Sequence, residues 1–79
     1  MKSALQESLP SFSCPLTFDV MRDPVMLAET GQTYEREAIE RWLSNNDTCP
    51  STNVRLHGKH QLVSNIGLRK AIEEWSVLY

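Results

Sequence analysis

Seventy-nine residues, 41% of them hydrophobic and 23% charged, describe one globular domain with a single small core, burying roughly 60% of the surface its unfolded chain exposes. Eight basic and ten acidic residues are interleaved and give a net charge of −2, which excludes the basic stripe that nucleic acid would require. No apolar run approaches the roughly 20 residues of a membrane span, and residues 1–10 lack a signal peptide's continuous apolar segment, so an intracellular location, cytoplasmic or nuclear, is expected.

Residues 1–8 are polar and aperiodic and are expected to form a flexible tail, leaving 9–79 as the domain. Pro10 and Pro15 break the stretch from Leu9 to Asp23, which reads as an ordered loop. Asp23-Pro24 then turns into a short strand, Val25 to Ala28. Glu29-Thr30-Gly31 is a turn signal, with Gly31 free to adopt positive φ. Gln32-Thr33-Tyr34 is the returning strand of a hairpin. A helix is expected over Glu35 to Asn45, since Ala38, Ile39, Trp42 and Leu43 form an apolar stripe at helical period. Thr33 is its nearest good cap. Thr48 to Lys59 forms a second loop, interrupted by Pro50 and Gly58. A second helix starts after Asn65, a strong cap residue. Leu68, Ala71, Ile72, Trp75 and Leu78 mark its core face, with Trp75 central. No internal repeat is visible.

The cysteines and histidines bound the chemistry. Two cysteines are too few for the usual disulfide-stapled small domain, although one Cys14–Cys49 bridge remains open. Cys14, Cys49, His57 and His60 contain no Cys-x-x-Cys pair, and two tetrahedral zinc ions need about eight ligands. Surface histidines and no metal are expected. Neither cysteine has a sequence neighbour that would activate it as a nucleophile.

The run from Phe12 to Val25, Phe-Ser-Cys-Pro-Leu-Thr-Phe-Asp-Val-Met-Arg-Asp-Pro-Val, is followed by Gly31 to Trp42, by Cys49-Pro50-Ser51-Thr52 and by Leu62-Val63-Ser64-Asn65. In order and spacing it resembles the U-box family, ubiquitin ligase domains that keep the RING fold without zinc. The resemblance implies a small α+β fold, with two ordered loops around a short β-hairpin and a central helix, then a C-terminal helix, and no metal. Hydrogen bonds, ion pairs and packing must fix the loops, with Arg22, Asp23, Thr33, Arg36, Glu40 and Thr52 as candidates.

It also implies a ubiquitin transferase that makes no covalent intermediate. The module docks a ubiquitin-loaded conjugating enzyme and restrains it so that a lysine of a protein substrate attacks the thioester. By motif position, Leu16, Phe18, Trp42 and Pro50 would contact the conjugating enzyme, and no cofactor is implied. Leu16 and Phe18 are large apolar groups in a Pro-bounded loop, and Trp42 lies at a stripe edge; each has inward packing as its alternative. The family often carries a basic residue where Asn53 stands, and Arg55 lies two positions on. It also usually has proline where Ser64 stands. Two other classes compete: a non-catalytic interaction module of the same fold, and a covalent transferase using Cys14 or Cys49.

Overall fold

The computed structural model describes residues 12–57 and 61–78. The expected tail, the loop residues before Phe12 and His60 lie outside them. Strand β1 (Pro24–Leu27) pairs antiparallel with β2 (Gln32–Glu35), with Val25 opposite Tyr34 and Leu27 opposite Gln32. The turn closes through Thr30 and Gly31 N–H groups donating to the Leu27 carbonyl, with Gly31 at φ 79°. Helix α1 (Arg36–Leu43) follows β2 directly. A third strand, β3 (Leu62–Ser64), adds antiparallel to the other side of β1. Helix α2 (Ile66–Leu78) ends the described chain. The architecture is the expected small α+β fold.

β3 was not foreseen as a strand, because three residues are too few to show an alternating pattern. Pairing is what makes Leu62 to Ser64 extended: Val25 lies opposite Ser64 and Leu27 opposite Leu62. The helix start also differs from the expectation. Glu35, not Thr33, is the N-cap residue of α1, and its side chain caps nothing in the helix. Its carboxylate instead accepts the backbone N–H groups of Arg22 and Asp23 at 2.9 and 2.8 Å. Asn65 behaves as expected, its Oδ1 accepting the Leu68 N–H at 3.1 Å in the first turn of α2. The α2 stripe is narrower than its spacing suggested: Ile72 is buried, Leu68 and Trp75 are half-buried, and Ala71 and Leu78 face outward.

The core gathers Met21, Val25, Leu27, Tyr34, Ile39, Leu56 and Ile72 around the two cysteines, both wholly buried and both free thiols. The Cys14–Cys49 bridge is therefore absent; each sulfur is the centre of its own loop. Cys14 Sγ accepts the N–H groups of Leu16 and Glu35. Cys49 Sγ lies 3.3 Å from Tyr34 Oη and 3.5 Å from Thr30 Oγ1.

The two loops are one backbone design used twice, a repeat of structure that the sequence barely carries. In loop one, Cys14 N–H donates to the Asp19 carbonyl, Phe18 N–H to the Cys14 carbonyl and Met21 N–H to the Phe12 carbonyl. In loop two the same three bonds run from Cys49 to Val54, Asn53 to Cys49 and Leu56 to Asp47. Ser13 bridges Val20 as Thr48 bridges Arg55. Thr17 Oγ1 accepts the Asp19 N–H as Thr52 Oγ1 accepts that of Val54. Phe18 and Asn53 both adopt left-handed φ, 63° and 62°. Only Cys-Pro-x-Thr is shared in sequence.

Loop one is fastened to the sheet and helix by a reciprocal clamp. Glu35 takes two N–H groups from Arg22 and Asp23, while Asp23 takes the Arg36 N–H on its carbonyl and Arg36 Nε on Oδ2 at 2.7 Å. Arg36 Nη2 continues to Ser64 Oγ at 2.7 Å, tying in the end of β3. Ser64 thus has a role that proline could not fill. Asp23 and Arg36 of the expected network are in this clamp, and Arg22 joins only through its backbone. Thr52 bonds only locally, and no bond of the Thr33 or Glu40 side chain contributes among the described residues.

Glu35→Ala leaves two N–H groups without their acceptor, and the expected loss is about 2 kcal/mol. For a domain of this size that lowers the melting temperature by roughly 8–16 °C. A melting temperature within about 2 °C of wild type would mean that water replaces the carboxylate and that the clamp is dispensable.

Candidate functional site

A groove of about 300 Å³ runs between loop one and α1. Leu16 and Thr17 form one wall; Ala38, Arg41, Trp42, Asn45 and Asn46 form the other. The structure therefore brings together Leu16 and Trp42, two of the residues expected to form a site. Both are half-buried and also pack against the core, so each has one face in and one face out. Trp42 is fixed by its indole N–H, which donates to the Thr48 carbonyl at 2.7 Å and so ties α1 to loop two. Asn46 Nδ2 donates to the Trp42 carbonyl at 3.0 Å.

Phe18 does not line this groove, yet it is the most exposed aromatic described, 82% accessible. Its inward-packing alternative is thereby excluded. The left-handed backbone that turns it outward is disfavoured for a bulky residue by roughly 1–2 kcal/mol. Pro50 is half-buried beside Cys49 and also stands apart from the groove. Asn53 is exposed at the matching left-handed position of loop two, a conformation asparagine tolerates better than most residues. Arg55 is exposed and pairs with Asp47 at 3.6 Å, also exposed.

Sequence reading missed Thr17, Ala38, Arg41, Asn45 and Asn46 as groove residues. A signal was present: Ala38, Arg41, Trp42 and Asn45 stand at i, i+3, i+4 and i+7, one helical face. Ala38 and Trp42 had been grouped with Ile39 and Leu43, whose stripe turns toward the core. A larger hollow of about 720 Å³ lies between Val20 to Arg22 and α2. It contains none of the expected site residues, two of which the smaller groove brings together.

The Cys49 centre is electrostatically distinct. Burial pushes its thiol up, but hydrogen bonds with Thr52, Tyr34 and Thr30 together outweigh burial and bring it down to about 6. Burial, reinforced by the hydrogen bond with Cys49, pushes Tyr34 up to about 12. Tyr34 Oη also donates to Ser51 Oγ at 2.8 Å and accepts the Ser51 N–H at 3.3 Å. Cys49 therefore has the polar partners that its sequence neighbours did not reveal, all brought by the hairpin and by its own loop. Its sulfur belongs to a residue with no accessible surface, which leaves an incoming thioester no approach. Among the described residues no three His, Cys, Asp or Glu side chains are grouped to hold a metal ion, and no helix is long and apolar enough to cross a membrane.

Two outcomes are expected. Phe18→Gly should leave stability unchanged or raise it by up to about 1 kcal/mol, since relief of left-handed strain offsets glycine's backbone entropy. A chemical-denaturation loss above about 1 kcal/mol would show that the ring packs against the fold. The second concerns pH. The folded Cys49 thiol lies at about 6 against an ordinary 9.0, so the stability it contributes is present above pH 9 and lost as pH falls through about 6. Unfolding free energy should rise across that window with a steeper slope than in Cys49→Ser. Equal slopes would mean that the thiol stays protonated.

Comparison with known proteins places these features in a family. The family model for the U-box domain matches residues 10–77. The chain is 48% identical over 71 residues to U-box domain-containing protein 37 of Arabidopsis thaliana, covering 89% of this chain and 17% of that protein. It is 46% identical over 69 residues to U-box domain-containing protein 4 of Oryza sativa subsp. japonica, covering 86% and 9%. It is 51% identical over 67 residues to U-box domain-containing protein 33 of Arabidopsis thaliana, covering 84% and 8%. The chain spans less than a fifth of the length of these relatives.

Proposed function

Since the chain belongs to the U-box family, a class of ubiquitin ligase module, we propose that it docks a ubiquitin-loaded conjugating enzyme in the groove between Leu16 and Trp42. The observation that carries this reading is the pairing of that groove with Phe18, held 82% exposed on a backbone conformation that disfavours it. A large apolar side chain displayed at such a conformational disadvantage is poorly explained by folding alone. Leu16 and Trp42 receive an apolar side chain of the partner, Phe18 covers its flank, and Pro50 adds a rigid contact from loop two. Trp42 ties the helix wall of the groove to loop two through the Thr48 carbonyl.

The module itself performs no covalent chemistry on this reading. It lowers the barrier by restraining the flexible thioester-linked ubiquitin, so that a substrate lysine meets the carbonyl in an attacking geometry. Its site of action is intracellular, where conjugating enzymes and their protein substrates reside.

One observation favours a second reading, a docking module that does not promote transfer. The position where related ligases often place a basic side chain holds Asn53, which lacks an arginine's charge and reach. Arg55, the nearest cation in sequence, is paired with Asp47.

Discharge of ubiquitin from a loaded conjugating enzyme to free lysine, with chelator present throughout, tests both readings. Wild type should accelerate discharge. Leu16→Ala should weaken binding of the unloaded enzyme by roughly 1–3 kcal/mol, as for an interface anchor. Asn53→Arg should increase discharge with little change in that affinity, since the added charge-assisted hydrogen bonds, about 1.5–3 kcal/mol at most, form only with the loaded conjugate. Its left-handed backbone will cost the arginine up to about 1 kcal/mol of fold stability. Binding without discharge by wild type would favour the second reading, and absence of binding would refute both.

A further inference from the structure

We infer that Arg41 makes the groove selective for conjugating enzymes that carry an acidic side chain beside the apolar side chain they insert between Leu16 and Trp42. The inference rests on the docking reading above and adds to it a charge preference. Among the described residues Arg41 is the one ionisable side chain lining the groove, on a chain whose net charge is −2. The other polar groups of that wall, Asn45 and Asn46, are neutral, so the groove carries local charge of sign opposite to the domain as a whole.

The side chain is available for such a role. Arg41 is exposed, and neither ion pair found among the described residues includes it. Glu37, one turn earlier, is the acid that helical spacing would offer as an internal partner. Glu37 instead lines a separate hollow with Asp23, Glu35, Arg36 and Glu40. The Arg41 backbone is held in place, its carbonyl accepting Ser44 Oγ at 2.7 Å. Arg41 also lies in the last turn of α1, where a cation opposes the negative end of the helix dipole. That role stabilises the helix and needs no partner, so the two roles separate experimentally. Helix stabilisation is seen in melting, selectivity only in binding.

At an interface rim, charge acts chiefly on encounter and partner choice. The test uses a panel of unloaded conjugating enzymes in two sets, bearing an acidic or a basic side chain beside the docking apolar residue. Each is titrated against wild type, Arg41→Lys, Arg41→Gln, Arg41→Glu and Leu16→Ala, at about 0.05 M and about 0.5 M salt. Wild type and Arg41→Lys should prefer the acidic set. Arg41→Glu should weaken that set about fivefold at low salt, within the range for exposed charge pairs, and much less at high salt. Reversing the acid on one enzyme to lysine should restore its binding to Arg41→Glu. Arg41→Gln keeps the test valid if the reversed charge unfolds the helix end; it should abolish the preference with melting near that of wild type. If Arg41→Gln discriminates between the sets as wild type does while Leu16→Ala weakens binding to both, docking stands and the selectivity is refuted. If Leu16→Ala binds as wild type does, the docking surface itself is wrong and the selectivity fails with it.

Discussion

The reciprocal clamp of Asp23, Glu35 and Arg36 is the constraint on which the remaining structure depends. It joins the end of loop one, the last residue of β2, the first of α1 and, through Ser64, the end of β3. Four elements converge on one pair of adjacent residues. The ion pair is partly exposed, so its Coulomb energy alone contributes little. Its worth lies in satisfying backbone groups: two N–H donors at the end of the loop and the first N–H of the helix would otherwise lack partners. A chain this short has too small a core to hold two long loops by burial alone.

Sulfur does a related task inside each loop. Cys14 and Cys49 occupy equivalent positions of the same backbone motif, and both are buried at its centre. Each is hydrogen-bonded from outside its loop, Cys14 Sγ accepting the Glu35 N–H and Cys49 Sγ lying within hydrogen-bond distance of the Tyr34 and Thr30 hydroxyls. Individually these are weak, since sulfur is a poor acceptor. They connect each loop to the hairpin nonetheless, Cys14 at the end of β2 and Cys49 at its turn and middle. Both loops are thereby held from one hairpin.

The repeated backbone carries unlike side chains, and that difference divides the work. Leu16 and Phe18 of loop one are matched in loop two by Ser51 and Asn53. Loop one turns apolar surface outward beside α1, whereas Ser51 is engaged by Tyr34 and Asn53 shows a small polar group. Asparagine tolerates left-handed backbone and phenylalanine does not. The motif is therefore relaxed in loop two and strained in loop one, and the strain coincides with the exposed aromatic ring. The left-handed turn is common to both loops, so the strain in loop one comes from the residue placed there and not from the turn itself.

Much of this was legible in the chain itself. Helical period marked both helices, Gly31 marked the hairpin turn, Asn65 marked the second helix start, and Leu16 in a Pro-bounded loop marked one groove wall. Those features are local: each depends on the preferences of residues within about one turn of one another. Four features were decided only by the tertiary structure. β3 exists because β1 offers a free edge; Glu35 is the N-cap by its backbone while its carboxylate serves loop one; Cys49 gained polar partners from the hairpin; and the loop repeat lies in φ signs and backbone hydrogen bonds that two Cys-Pro-x-Thr fragments barely signal. Periodicity determined which faces are apolar, whereas partners distant in sequence determined how unpaired backbone groups are satisfied, and a sequence does not encode that pairing in any one segment.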